Sequence, residues 1–326
     1  MTEICYRPFR STDVDRIVAG WNDSIRFDPV DRDWFFEYVL LDQNFDPAGL
    51  LVAEADGELV GCAYAVRRLT PASGTDLQPD LGWIPFLFVT PAARHSGVGQ
   101  QLLRSTVDFL LDAGRTIVDF GCYTPNYFVP GLEAAAYPDG DLFLRRAGFE
   151  VRGEPVAMDR TLVGYAMPAD VVHLRDRRTT EGYRFDIPTE GEIPALLSFA
   201  ANGFAPDWAD AIRESLRHGH GLGRIRVAWR HDQVVGFAMY AAYRGIAERF
   251  GPFGVDGELR GAGLGKILLH QTLSAMRAEG LHTAWFLWTG EVSPAGHLYR
   301  QAGFSVTRRF QLMRADLAAI TTSLSQ

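Results

Sequence analysis

Cysteine is scarce in this chain of 326 residues: three only, Cys5, Cys62 and Cys122, far apart and odd in number. No disulfide framework and no zinc-site spacing can be built from them, so the thiols are expected to be buried or incidental in a reducing compartment. Long apolar runs are absent too, none reaching the roughly 18 residues that a membrane span needs. The first ten residues carry Glu3, Arg7 and Arg10 and lack the apolar core of a signal peptide. Positive charge is in deficit, with 32 Lys and Arg against 40 Asp and Glu, a formal net charge of -8. A general nucleic-acid binder needs a basic face and is therefore not expected. These absences lead to the expectation of a cytoplasmic protein with no membrane and no nucleic-acid partner. What remains is an ordinary globular balance, 47% hydrophobic and 22% charged, over a length that suits two domains of about 150 residues each.

The main organising fact is an internal repeat. Residues 86–103 read F-L-F-V-T-P-A-A-R-H-S-G-V-G-Q-Q-L-L, and residues 252–269 read P-F-G-V-D-G-E-L-R-G-A-G-L-G-K-I-L-L. They align without gaps at an offset of 166, so that Val89 matches Val255, Arg94 matches Arg260, Gly97 matches Gly263 and Gly99 matches Gly265. Further on, R-R-A-G-F at 145–149 matches R-Q-A-G-F at 300–304 at an offset of 155. The first copy thus holds 11 extra residues (166 minus 155), placed in the Tyr-, Pro- and Gly-rich stretch 122–140 and read as a loop.

Each copy contains a hairpin signature, Leu50–Glu54 and Leu59–Val66 around Asp56-Gly57, then Ile225–Trp229 and Val234–Tyr240 around His231-Asp232. Helices are expected at 13–19, 31–41, 98–111, 190–199, 207–216 and 264–276, the last with Leu264, Ile267, Leu268 and Ala275 at core-facing spacing. Strands are expected at 116–120 and 283–288. The order in each copy is strand, helices, hairpin, strand, helix, strand, helix, strand, which predicts a mixed α/β (α+β) fold with helices on a mostly antiparallel sheet. The expected domains are 1–168 and 180–326, with a linker near 167–180 and a frayed tail at 319–326.

A strand that runs into a glycine turn and then a helix presents several backbone N–H groups to a phosphate, and the helix start adds partial positive charge. Three cofactor classes compete for such glycines. After Gly261, Gly263 and Gly265, the third glycine of a dinucleotide fingerprint falls on Lys266, so that pattern fails. A P-loop would need glycine at Arg260 and Ser or Thr at Ile267, and fails twice. What is left is R-x-x-G-x-G in both copies, each followed by helix, strand, helix and A-G-F.

The two R-x-x-G-x-G turns, with L-Y-R-Q-A-G-F at 298–304, resemble the acetyl-CoA-binding motifs of the Gcn5-related N-acetyltransferase (GNAT) superfamily, over nearly the whole chain and twice. The resemblance implies two tandem GNAT-like domains that use acetyl-CoA (coenzyme A). It assigns the pyrophosphate of coenzyme A to the turn amides at Gly97, Val98, Gly99 and Gln100, and at Gly263, Leu264, Gly265 and Lys266. Arg94, Arg260 and Gly261 flank those turns. The strand before each turn pairs with the pantetheine arm, which points to Leu87 and Val89, and to Phe253 and Val255.

The same resemblance locates the chemistry. A tyrosine on the helix before the A-G-F turn commonly protonates the leaving thiolate. Tyr299 stands there in the second copy, and Leu144, with no proton to give, in the first. The family's pantetheine-contacting Asn is replaced by Val292, with Ser293 or Glu291 as stand-ins. Glu248 is the leading candidate base, although deprotonation of the amine through water is equally open. His218 and His220 could line an acceptor site or serve a helix end, and Asp207 and Trp208 lie in the same region. The loop 123–137 could cover the first copy's acceptor cleft, and Tyr123 or Tyr127 could replace its missing acid. The expected activity is acetyl transfer to a primary amine of a small molecule by direct attack, from a catalytic second copy and a degenerate first. The alternative is an acyl-CoA-binding regulatory or interaction protein with little catalysis.

Overall fold

A computed structural model describes residues 3–72, 74–205 and 207–324. The chain forms two compact units, one of Met1–Pro71, Asp76–Pro155 and Arg309–Gln326, the other of Ala72–Thr75 and Val156–Arg308.

The first unit begins with β1 (Ile4–Pro8), α1 (Val14–Ser24), α2 (Arg32–Phe35), β2 (Leu50–Ala55) and β3 (Glu58–Val66). It continues with β4 (Leu81–Val89), α3 (Val98–Asp112), β5 (Ile117–Phe120), α4 (Pro138–Arg146) and β6 (Glu150–Gly153). In α1 the buried residues are Ile17, Gly20, Trp21 and Ser24, the three- and four-residue spacing that gives a helix one inward stripe. The hairpin turn at Asp56 (φ 51°) and Gly57 (φ 81°) takes positive φ at both positions, the primed geometry that matches strand twist.

The second unit comprises β7 (Pro155–Thr161), α5 (Ala169–Thr180), β8 (Tyr183–Asp186), α6 (Ile193–Gly203), α7 (Asp207–Arg217), β9 (Ile225–Arg230) and β10 (Gln233–Tyr240). It is completed by β11 (Phe250–Val255), α8 (Leu264–Ala278), β12 (Thr283–Gly290), α9 (Pro294–Gln301) and β13 (Ser305–Arg309). The chain then returns to the first unit as β14 (Leu312–Asp316) and α10 (Leu317–Ser323).

That return is the chief departure from a linear pair of domains. The first unit's seven-stranded sheet runs β1-β2-β3-β4-β5-β14-β6, so a strand from the end of the sequence sits between β5 and β6. In the second unit β7, which follows the first copy's A-G-F turn, lies between β12 and β13. The two copies have exchanged their final strands, and no single cut between 168 and 180 separates the units. Two smaller expectations also change. The stretch 167–180 is largely helix α5, not a loose connection. The tail forms α10, with Leu317, Ile320 and Leu324 buried; Ser325 and Gln326 lie outside the described residues. All three cysteines are free, and none of the described helices is long and apolar enough to cross a membrane.

Candidate functional site

In both units the strand before the glycine turn parts from its neighbour. In the first, β4 and β5 pair in parallel from Leu81↔Ile117 to Ile84↔Phe120, and β4 then runs on to Val89 beside β3 alone. In the second, β11 and β12 meet only at the Arg249↔Trp285 bridge, where the Trp285 amide donates to the Glu248 carbonyl at 3.0 Å, and they belong to different sheets beyond it. Backbone groups on the open side of such a strand are decided by antiparallel alternation. The Asp256 amide donates to Val235, which turns Gly254 toward β10 and the amides and carbonyls of Phe253 and Val255 toward the gap. The Thr90 amide donates to Val60, which does the same for Leu87 and Val89.

The turns that follow are built alike. Gly97 (φ 86°) and Gly263 (φ 79°) begin α3 and α8 in the left-handed region, and no side chain caps either helix. The amides of the first helical turn are therefore presented at a helix start that favours anions. At Gly261 (φ 85°) an added Cβ would meet nothing within 4 Å. Its partner in the first copy is His95 (φ 61°), a side chain forced into the same region.

The flanking cations differ between the units. Arg94 spends its guanidinium on the carbonyls of Val89 and Ser24, both at 3.3 Å, whereas Arg260 is exposed and makes no side-chain hydrogen bond or ion pair with the described residues. Lys266, the only lysine of the chain, pairs with Asp170 of α5 at 2.6 Å. Helix α5 covers this turn further: Arg178 donates to the Ala262 carbonyl at 2.7 Å, and an added Cβ on Gly263 would stand 2.7 Å from Leu174. Gly97 meets nothing comparable within 4 Å.

Tyr299 lies on α9 at the mouth of the β11–β12 gap. Its ring centroid is 4.4 Å from that of Phe286 on β12 and 6.0 Å from those of Phe250 and Phe253 on β11. Only 7% of the residue is exposed, and its hydroxyl forms no hydrogen bond with a described residue. Burial pushes the phenol well above its ordinary range, so it holds its proton at any physiological pH. Leu144, at the matching place in the first unit, is buried and apolar. Glu248 is half-buried immediately before the bridge residue Arg249, and its carboxylate has no partner among the described residues.

Other candidates are committed elsewhere. The Ser293 hydroxyl donates to the Gly290 carbonyl at 2.6 Å and accepts from the Gly296 amide at 3.1 Å, which makes it the N-cap of α9. Glu291 pairs with Arg300 at 2.7 Å. Ser293→Ala is therefore expected to cost the second unit about 1 kcal/mol, read as a lowered melting temperature, and to leave coenzyme A affinity within about twofold. A loss of affinity at unchanged stability would return Ser293 to the cofactor contacts. His218 and His220 flank Gly219 (φ 80°) in a helix-end motif, with Gly219 N–H on the Leu216 carbonyl and His220 N–H on that of Ser215.

Trp208 stacks on Phe204 at 4.9 Å, and Phe204 in turn lies 2.4 Å from where a Cβ on Gly254 would be. The ring thus closes over β11 where it has no side chain. Phe204 and Phe286 were not singled out from sequence, because nothing local distinguishes a site-lining Phe from a core one.

The first unit's long loop fills rather than lines. Phe128 packs on Trp21 at 4.7 Å, Tyr38 at 5.5 Å and Phe86 at 5.9 Å. Tyr123 is fully buried. Its hydroxyl donates to Asp42 at 3.0 Å and accepts from the Asn44 amide at 2.7 Å. It is tied into a structural network and is not placed as a spare acid.

Divergent strands, an uncapped glycine turn and a helix start, occurring twice, define a class of acyl-CoA-binding fold. Profiles of the acetyltransferase (GNAT) family and the acetyltransferase (GNAT) domain match residues 16–128 and 221–306. The chain belongs to the GNAT superfamily and carries two such domains in tandem. It is 32% identical over 109 residues to a mycothiol acetyltransferase of Acidimicrobium ferrooxidans, a match that spans 32% of this chain and 34% of that protein. It is 26% identical over 266 residues to a mycothiol acetyltransferase of Renibacterium salmoninarum, covering 77% of this chain and 70% of that one. The solved structure of a GCN5-related N-acetyltransferase from Sphaerobacter thermophilus superposes with a TM-score of 0.71 at 18% identity, over 96% of each chain.

Proposed function

We propose that the second unit transfers an acetyl group from acetyl-CoA to a primary amine of a small molecule, and that the first unit is a degenerate copy. The observation that carries this is the unpartnered phenol of Tyr299 in the gap between β11 and β12, beside a strand and a glycine turn that suit the cofactor. Acetyl-CoA, when bound, supplies an activated acetyl thioester. The amides at Gly263–Lys266 and the exposed Arg260 would hold its diphosphate, and the outward backbone groups of Phe253 and Val255 its pantetheine arm. Tyr299, neutral through burial, would hold a proton for the departing sulfur. Glu248 would take the proton released by the amine, directly or through water. Leu144 and the Phe128 loop argue against the same chemistry in the first unit. Two relatives named mycothiol acetyltransferases fit a small-molecule acceptor.

The test is thiol release from acetyl-CoA in the presence of a broad panel of primary amines, including amino sugars, amino acids and polyamines. Amine-dependent thiol release, with the N-acetyl product found by mass spectrometry, is the expected result. Coenzyme A binding with no thiol release from any amine would favour an acyl-CoA-responsive binding protein instead.

A further inference from the structure

Away from the gap, the second unit has an open cleft of about 320 Å³, walled by Arg160, Gly164, Tyr165, Pro168, His270 and the α9 terminus at Gln301–Gly303. Its polar side chains are those of Arg160, Tyr165, His270 and Gln301. The Arg160 guanidinium lies 4.7 Å from the Tyr165 ring centroid and donates to the carbonyls of Thr161 and Ala302. It has no carboxylate partner among the described residues. The Tyr165 hydroxyl stands 2.8 Å from His270 Nδ1 and 3.2 Å from the His270 carbonyl. Burial, with Lys266 and Arg160 adding to it and Asp170 opposing, lowers the His270 pKa to about 4, so the imidazole is neutral. The Tyr165 hydroxyl has one proton: given to Nδ1 it leaves the ring proton on Nε2, and given to the carbonyl it leaves Nδ1 as the donor. Asp170, whose charge acts on His270, pairs with Lys266 at 2.6 Å.

A partly buried guanidinium without a counter-charge is costly, and its pKa is lowered by that burial. An anion in the cleft would relieve the cost and take the free donors. The matching place in the first unit is occupied differently. There Arg104, which matches His270 at the offset of 166, donates to the Leu324 carbonyl, and α10 packs along α3. In the second unit the loop after β7 supplies Gly164, Tyr165 and Pro168 to the cleft, where helix α10 directly follows β14 in the first.

We propose that this cleft binds a phosphate monoester, with Arg160 as its charge partner and His270 as a donor through Nε2, in the tautomer where Tyr165 donates to Nδ1. Two sources share that chemistry. One is the ribose phosphate of coenzyme A itself, since His270 is five residues beyond Gly265 and so about 7.5 Å along α8; this source rests on the function proposed above. The other is a separate phosphorylated small molecule.

Calorimetry with phenyl phosphate, coenzyme A and dephospho-coenzyme A would test it, on the native chain, Arg160→Gln and Gln301→Glu. The second variant puts a carboxylate on the exposed rim without removing any bond, so it reports even where the first fails to fold. If the cofactor is the source, coenzyme A binds about tenfold or more tightly than dephospho-coenzyme A, and both variants erase that difference. If the source is separate, the two coenzymes bind alike, while phenyl phosphate binds the native chain and loses about tenfold or more in the variants. Binding of phenyl phosphate with neither coenzyme bound would end the acetyltransferase reading and leave this site standing. The proposal is overturned if the coenzymes bind alike and phenyl phosphate either fails to bind or binds all three proteins equally.

Discussion

Tyr299→Phe should lower the rate of acetyl transfer by roughly 10²- to 10⁴-fold, the range over which a positioned acid contributes, while coenzyme A affinity stays within about twofold. The expectation depends on how little else the hydroxyl does. It makes no hydrogen bond with a described residue, and the ring is held by Phe250, Phe253, Phe286 and Phe304, whose contacts Phe would keep. Thermal stability should therefore be unchanged or slightly higher, since a buried polar atom is removed. Because burial raises the phenol's pKa far above its ordinary value, an alkaline limb of the rate profile below pH 10 should not belong to Tyr299 and should persist in any residual activity of the variant. Steady-state kinetics with calorimetry decide it: a variant that turns over normally removes Tyr299 from the chemistry, and one that no longer binds coenzyme A makes it a packing residue.

Truncation before Arg309 should unfold the first unit although it removes nothing from the first copy in sequence. The lost segment supplies β14, hydrogen-bonded on both edges to β5 and β6, and the bidentate Arg314–Asp119 pair at 2.6 and 2.8 Å. It also buries Met313, Leu317, Ile320 and Leu324. At roughly 1.5–3 kcal/mol for each large apolar side chain, that comes to about 6–12 kcal/mol, against about 5–15 kcal/mol for the whole stability of a typical domain. The converse is sharper. The Phe310 amide donates to the Pro155 carbonyl at 2.9 Å, and Gly153 pairs with Leu312, so the exchange point is also a place where the chain can be rejoined. A chain of residues 1–155 joined directly to 309–326 would close β6 and β14 with a short hairpin loop and is expected to fold cooperatively. Residues 1–168 alone should not. Circular dichroism melts of the two chains check this, and a cooperative melt of residues 1–168 would show that β14 is dispensable.

Much of the site was legible in the sequence because its signals are local. A glycine that must take positive φ at the start of a helix can be read from a few residues and the elements around them, and it was read in both copies. The alternation that turns the backbone groups of Leu87, Val89, Phe253 and Val255 toward the open side follows from strand period. A loop at 122–140 is legible from its composition, although 138–140 form the start of α4, but that Phe128 and Tyr123 sink into the core depends on Trp21, Tyr38, Asp42 and Asn44, far away in sequence. The same is true of Ser293, whose capping bonds outweigh its place beside the family's asparagine position.

By itself the sequence determined that there are two copies of one α/β unit, where their glycine turns fall, and that only the second carries a phenol before A-G-F. Which sheet receives each closing strand was decided by tertiary structure alone. A strand such as Leu312–Asp316 offers the same hydrogen-bonding edge to either sheet, and its partners are chosen by non-local contacts, the burial of Met313 and Ala315 and the Arg314–Asp119 pair. From that choice follow helix α10 along α3, α5 against the second glycine turn, and the loop after β7 that lines the cleft at Arg160 and His270.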